Sequence, residues 1–229
     1  MRAGMRAGMG ADMGADMGAP PVFDEGFRAT LEDLIVWRRD VRRFRTDPLP
    51  DGAMERLLRL ACLAPSVGLS EPWRFVLVES GEKRRLIAAN FEDANAEALS
   101  SYTGDNASLY ASLKLEGIRE APVQLAAFAE PDPEKGRTVG RRTMPETVAY
   151  SVVSAMHTMW LAARAEGIGM GWVSILDPVR VARDLEVPPH WQFIGYFCIG
   201  YPLEEASTPE LERVKWERRS DPATVVIRR

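Results

Sequence analysis

The stretch from Glu146 to Glu166 constrains this chain more than any other. Its apolar residues lie on nearly every side of a helix, whereas a helix on the surface of a monomer needs only one apolar stripe. Such a helix must be covered from several directions. In a chain with few strands a second subunit is the economical source of cover, so a homodimer is expected over burial within one subunit. The longest apolar run, Val148 to Ala163, is broken by Ser151, Ser154, His157 and Thr158. It falls short of the ~20 residues a bilayer requires, so no membrane span is expected. Met156, Met159 and Trp160 are expected in the core, and His157 as a buried core or interface side chain.

The rest of the chain alternates helical and strand patterns. Residues 1–22 repeat short Met-, Gly- and Ala-rich units and are expected to form a disordered low-complexity tail. Phe27, Leu31, Leu34 and Ile35 recur at helical spacing. A second helix follows Asp47-Pro48-Leu49-Pro50, with Asp51 as its expected N-cap. Strands are expected at 75–78, 123–128, 168–175 and 193–199. A helical stretch over 82–119 should break near Thr103-Gly104-Asp105. Gly167 fits the C′ position of the apolar helix, and Asp177-Pro178 opens a short helix. The charged tail from Leu203 reads as mostly extended, suited to wrapping a partner or the body. No repeat or linker divides 23–229, which predicts a single α+β domain with a C-terminal extension.

Three segments carry candidate chemistry. Arg38-Arg39-Asp40-Val41-Arg42-Arg43-Phe44-Arg45 places five guanidiniums in eight positions. These repel one another unless an anion or carboxylates neutralise them, and guanidinium forks match phosphate oxygens. The cluster is short, lacks interleaved aromatics and sits in a chain of net charge −4, which argues against nucleic acid. Ala64-Pro65-Ser66-Val67-Gly68 supplies a hydroxyl and loop amides that can bond the polar edge of a flat heterocycle. Gly169-Met170-Gly171-Trp172-Val173-Ser174 is a strand whose small residues admit a close backbone approach. Each alone also suits a bland role: a solvated basic helix end, a connector, a packed strand. Cys62 and Cys198 show no metal spacing and no disulfide framework, so a reducing cytoplasm is the default compartment and no metal is expected.

Taken in order, the arginine cluster, the Ala-Pro-Ser loop and the Gly-x-Gly-Trp strand after the apolar helix resemble the nitroreductase family. The resemblance extends over about 23–202 and implies an FMN-dependent α+β fold, a mixed central sheet flanked by helices, in an intertwined homodimer. Within that family, Arg38 to Arg42, Ser112 to Arg119 ahead of Ala121-Pro122, and Trp160 to Gly167 running into Gly171 to Ile175 are similar to the dimethylbenzimidazole synthase branch. The resemblance implies that Arg38, Arg39 and Arg42 grip the FMN phosphate and ribityl chain, beside Val41. It implies that Pro65, Ser66 and Gly68 line the ring, and that Ser101 to Leu115 forms a lid with Leu115 on the isoalloxazine. Asp40 and Ser174 match the two polar positions near the reactive part of the flavin. Glu71 stands where an amide side chain is expected.

The activity so implied is an oxygen-dependent conversion of reduced FMN to 5,6-dimethylbenzimidazole, the lower ligand of cobalamin, with the flavin itself as substrate and O2 as co-substrate. Asp40 is the candidate proton-transfer group, expected to be ionised among its arginines, with a salt-bridging role as the alternative. Ser174 is the candidate hydrogen-bond partner of the flavin. A separate flavin reductase is one route for delivering the reduced form. Two other readings stand beside it: an NAD(P)H-dependent FMN-containing nitroreductase, which needs an open face above the ring, and a non-catalytic flavin-binding protein.

Overall fold

The computed structural model describes residues 19–229. The repetitive tail expected over 1–22 lies outside the described residues up to position 18. In order, the elements are α1 (Glu25–Trp37), α2 (Ala53–Ala61), β1 (Trp73–Leu77), α3 (Gly81–Ser100), α4 (Gly104–Ser112), β2 (Val123–Ala129), α5 (Thr147–Ala165), β3 (Gly169–Val173), α6 (Pro178–Asp184), β4 (Gln192–Gly200) and α7 (Glu210–Arg213). The strands form one sheet in the order β1-β2-β4-β3.

Alternation along the central strands sorts their side chains onto two core faces. Leu125, Ala127, Phe197 and Ile199 point to the side covered by α5 and α2, where they meet Leu57, Val152, Met156 and Met159. Ala126, Phe128, Tyr196 and Cys198 point to the other side, against Ile87 and Phe91 of α3 and Val181 of α6. The result is three layers, helices on both faces of the sheet. Met156 and Met159 are fully buried and Trp160 nearly so, as their spacing predicts. Each such side chain contributes about 1.5–3 kcal/mol of apolar burial. The end of α5 follows its sequence signal: Gly167 adopts φ +72°, and the Ile168 amide reaches back to the Ala163 carbonyl at 2.8 Å.

Five expectations need correction. Among the described residues the strand pairings are antiparallel throughout, and parallel register occurs only as an isolated bridge between Asp40 and Met170, so the sheet is mixed at that point alone. Asp51 does not cap α2; Gly52 does, at φ +76°, with no side-chain bond to the first turn. The helix expected through Arg119 stops at Ser112, and 113–119 is irregular. Of the two places expected for His157 the core is excluded and the interface is not: it is exposed on the chain, on a stripe with Tyr150 and Val153, so α5 is covered on most sides but not all. The tail beyond Leu203 is mostly irregular, with α7 and a single 3-10 turn at Pro222–Thr224.

What positions the site is the edge of β3. Strand β3 pairs on one side with β4 and is open on the other. The segment 40–44 covers that open side: the Val41 amide donates to the Met170 carbonyl at 2.9 Å, and Phe44, 2% exposed, bridges Pro202. Gly169 and Gly171 make this approach possible, since a Cβ on Gly171 would collide with the Val41 carbonyl and one on Gly169 would lie 2.7 Å from Val41 Cγ2. The substitution Gly171→Ala is therefore expected to cost about 3 kcal/mol in urea denaturation, because the obstruction is backbone and cannot rotate away.

Candidate functional site

Asp40 is held at two points. Its Oδ1 accepts from the Trp172 amide of β3 at 2.8 Å, and its Oδ2 accepts from Arg42 Nε at 3.1 Å. Arg42 is 12% exposed, and its Nη1 donates to the Lys114 carbonyl at 3.1 Å, just beyond the C-terminus of α4. Burial raises the Asp40 pKa above the usual carboxylate range, against the opposing pull of the Trp172 amide, Arg42 and Arg38. The direction is the reverse of that expected from its arginine neighbours alone, although about a third of the side chain still meets solvent. Desolvation outweighs the cations here because the carboxylate lies in the backbone-lined notch between segment 40–44 and β3.

The arginines divide by role. Arg38 stacks over Trp160, 5.0 Å from the ring centre, and has no carboxylate bonded to it among the described residues. Arg39 folds back onto the carbonyls of Ile35 and Val36 at the end of α1, while its Nε is buried without an acceptor among the described residues. Burial lowers the pKa of both guanidiniums, and Arg219 from the C-terminal segment adds to this at each. Both remain charged at neutral pH. Arg43 pairs with Glu210 at 2.6 Å and Arg45 with Asp47 at 2.8 Å. Between Arg39–Arg43 and the segment carrying Glu204, Glu210 and Arg213 lies a polar cleft of about 40 Å³. An unpartnered Arg38, an orphaned Arg39 Nε and a third arginine nearby suit a phosphate group. The cleft by itself falls short of the roughly 300 Å³ of a ligand-sized pocket.

The second and third segments lie elsewhere. Ser66 precedes the 3-10 turn Val67–Leu69, and its hydroxyl accepts from the Glu71 amide at 3.1 Å. Pro65 is exposed. Gly68, at φ +57°, has the carbonyls of Gly136 and Val139 where a Cβ would sit. Glu71 also holds a positive φ, and its carboxylate pairs with Lys135. This loop is fixed to the N-terminal half of α5 through Val67 N and Ser151 Oγ at 3.0 Å, whereas Trp160 Nε1 binds the Arg39 carbonyl at 3.2 Å near the other end. Nine residues of helix separate the two anchors, about 13 Å. One chain thus keeps Pro65, Ser66 and Gly68 apart from Arg38–Arg42. Ser174 is exposed just past β3, and Leu115 is half-buried against the core layer that holds Val41 and Phe44.

The structure adds residues that the sequence reading missed. The Trp172 amide and Lys114 carbonyl are backbone groups and leave no trace in residue type. Arg219 stands in another Arg-Arg pair, Arg218-Arg219, in a charged tail whose return to the site is a long-range event. Among the described residues no three His, Cys, Asp or Glu side chains gather to hold a metal, and no helix is long and apolar enough to cross a membrane.

Comparison with known proteins places the chain in a family. The chain belongs to the nitroreductase family, whose model matches residues 35–201. Within it, the chain is 53% identical over 199 residues to the 5,6-dimethylbenzimidazole synthase of Rhodospirillum rubrum, covering 87% of this chain and 94% of that protein. It is 47% identical over 195 residues to the 5,6-dimethylbenzimidazole synthase of Rhodobacter capsulatus, covering 85% and 94%. Among solved structures, an oxidised iodotyrosine deiodinase bound to FMN and 3-iodo-L-tyrosine shares the fold at a TM-score of 0.67 and 22% identity, covering 86% of this chain and 97% of that one.

The two bonds to Asp40 make its removal costly. Asp40→Ala leaves the Trp172 amide and Arg42 Nε without acceptors and is expected to lower stability by about 1–3 kcal/mol. Asp40→Asn keeps an acceptor for the amide and should lose less, which denaturant unfolding of the two variants distinguishes.

Proposed function

We propose that the chain is a 5,6-dimethylbenzimidazole synthase that consumes reduced FMN and O2 in the cytoplasm. Relatives of that name at 43–53% identity over most of the chain support the reading. The structural observation that carries it is Asp40: a carboxylate held by the β3 backbone and Arg42, next to the connector 113–115 that ends the proposed lid. Reduced flavin supplies electrons to oxygen without a metal. Arg38 and Arg39, with Arg219, hold the phosphate. Val41 and Leu115 border the ring, Arg42 meets the ribityl chain, and Ser174 bonds the polar edge of the ring. Asp40 takes a proton from C1′ of the ribityl chain, the carbon that enters the new ring. The lid, residues 101–115, excludes water while this happens.

The ring needs a further wall, and a second copy of the chain supplies it. Helix α1 buries none of its residues and exposes Phe27, Leu31, Ile35 and Trp37, while α5 exposes Tyr150 and Val153. An apolar surface of this extent is characteristic of a subunit interface. A two-fold axis beside α5 sets its two ends against each other, so the partner's loop with Pro65, Ser66 and Gly68 meets Arg38–Arg42. His157 becomes an interface side chain in that arrangement. The exposed Val225, Val226 and Ile227 give the C-terminal extension an apolar surface with which to wrap the partner.

The deciding assay supplies excess reduced FMN and oxygen. Dimethylbenzimidazole with loss of the flavin chromophore is expected; recovery of intact FMN with reduction of an organic acceptor by NAD(P)H supports a reductase instead, and binding with neither outcome supports a flavin carrier. Asp40→Asn should bind FMN and form no product. Arg38→Ala should weaken FMN binding about 10- to 100-fold, the size of a charge-assisted bond, and leave riboflavin binding unchanged. The pH profile follows from the sign of the Asp40 shift. A base works when ionised, and burial raises the pKa at which it protonates, so activity should fall on acidification at a midpoint above the ordinary value of 3.8.

A further inference from the structure

Arg42 joins two parts of the molecule that lie 72 residues apart in sequence. Its Nε donates to Asp40 Oδ2 and its Nη1 to the Lys114 carbonyl, both at 3.1 Å. A guanidinium is a rigid planar fork, so two acceptors in different directions fix its plane, and one alone lets it swing. The side chain is nearly buried, so water competes little for either bond. Lys114 is in turn secured by its ammonium, which bonds Glu116 and Glu120 at 3.0 Å each. The connector therefore arrives at Arg42 as a braced piece of chain rather than a loose strand.

We infer that Arg42 is a positioning residue that makes the orientation of Asp40 depend on the lid. With the connector in place, the guanidinium is locked between the Lys114 carbonyl and Asp40, and the carboxylate is fixed at both oxygens, by Arg42 and by the Trp172 amide. When the lid lifts, the Lys114 carbonyl leaves with it, Arg42 loses one of its two fixed directions, and Asp40 keeps only the sheet bond. Proton transfer is thereby confined to the closed state, in which water is excluded. The inference rests on the proposed function for its chemical meaning, but the tether itself is a property of the chain.

Asp40 is faced by Arg38 and Arg42 from its own segment and by the thiol of Cys198 from β4, which burial keeps protonated. Arg39 and Arg43 line the adjoining cleft, with Glu204, Glu210 and Arg213 across it. Of these, Arg42 alone bonds the carboxylate. Its removal should shift the titration of Asp40 upward, because a cation that favours the ionised form is gone.

The test uses the full-length protein without added flavin and two variants, Arg42→Met and Arg42→Lys. Carboxyl carbon NMR, with the signal assigned through Asp40→Asn, reads the Asp40 titration; amide hydrogen exchange reads the lid. Arg42→Met should raise the Asp40 midpoint by about one unit and speed exchange over 104–115 roughly tenfold, while α2 and α5 keep wild-type protection. Arg42→Lys should return the midpoint toward wild type, since charge is kept, but leave the lid fast, since one ammonium on a shorter reach lacks the planar fork. An unmoved midpoint in Arg42→Met, or a lid as protected as wild type in both variants, overturns the inference. Faster exchange across the whole domain overturns it too, as that marks a purely structural role. If Arg42→Met does not fold, Arg42→Lys decides by itself: a protected lid rejects the tether. A wild type that forms no dimethylbenzimidazole defeats the proposed function and leaves these readouts intact.

Discussion

The open edge of β3 is the constraint on which the rest depends. An edge strand presents unpaired amides and carbonyls that must be covered. Here the cover is segment 40–44, and it is made in two ways: Val41 pairs backbone to backbone with Met170, and Asp40 uses a carboxylate oxygen in place of a carbonyl to take the Trp172 amide. The same bond that completes the sheet sets one oxygen of the candidate proton carrier. Glycines at 169 and 171 are the condition for it, because any side chain there would hold the segment off.

From that anchor the electrostatics of the site follow. The chain carries net charge −4 yet concentrates five arginines in residues 38–45. Arg43 and Arg45 are neutralised by Glu210 and Asp47, and Arg42 by Asp40. Arg38 and Arg39 are left facing an aromatic ring and helix-end carbonyls, with Arg219 near both. Among the described residues no carboxylate is bonded to these three cations, and repulsion of this kind is relieved by a multiply charged anion, which is the ground for the proposed phosphate site.

The fold was largely legible in the chain, since long periodic segments announce themselves. The apolar helix, its Gly167 stop, the strand with its small residues and the Asp177 cap all lie within a residue or two of their expected places. Where reading failed, a non-local contact had overridden a local pattern. Residues 113–119 have helical composition, yet Arg42 takes the Lys114 carbonyl, and the Glu116 carboxylate takes the Ile118 amide, so the local helix is forfeited. Asp51 is a good cap by type, but Gly52 enters the helix with a positive φ and leaves the aspartate outside. In the site, the charge of the arginine cluster was visible while its division was not: nothing in Arg-Arg-Asp-Val-Arg says that the last arginine turns to the Lys114 carbonyl. The loop at Ser66 was recognisable as a flavin-family segment, but that it stands a helix half-length from Arg38 in its own chain is a fact of topology.

One measurement addresses the central claim, that this arrangement spends its flavin rather than recycling it. Reduced FMN carrying carbon-13 at C1′ of the ribityl chain is bound stoichiometrically without oxygen, oxygen is admitted for a single turnover, and the products are analysed by mass spectrometry and NMR. The account predicts dimethylbenzimidazole bearing the label at the carbon between its two nitrogens. Quantitative recovery of labelled, intact FMN together with hydrogen peroxide would contradict it.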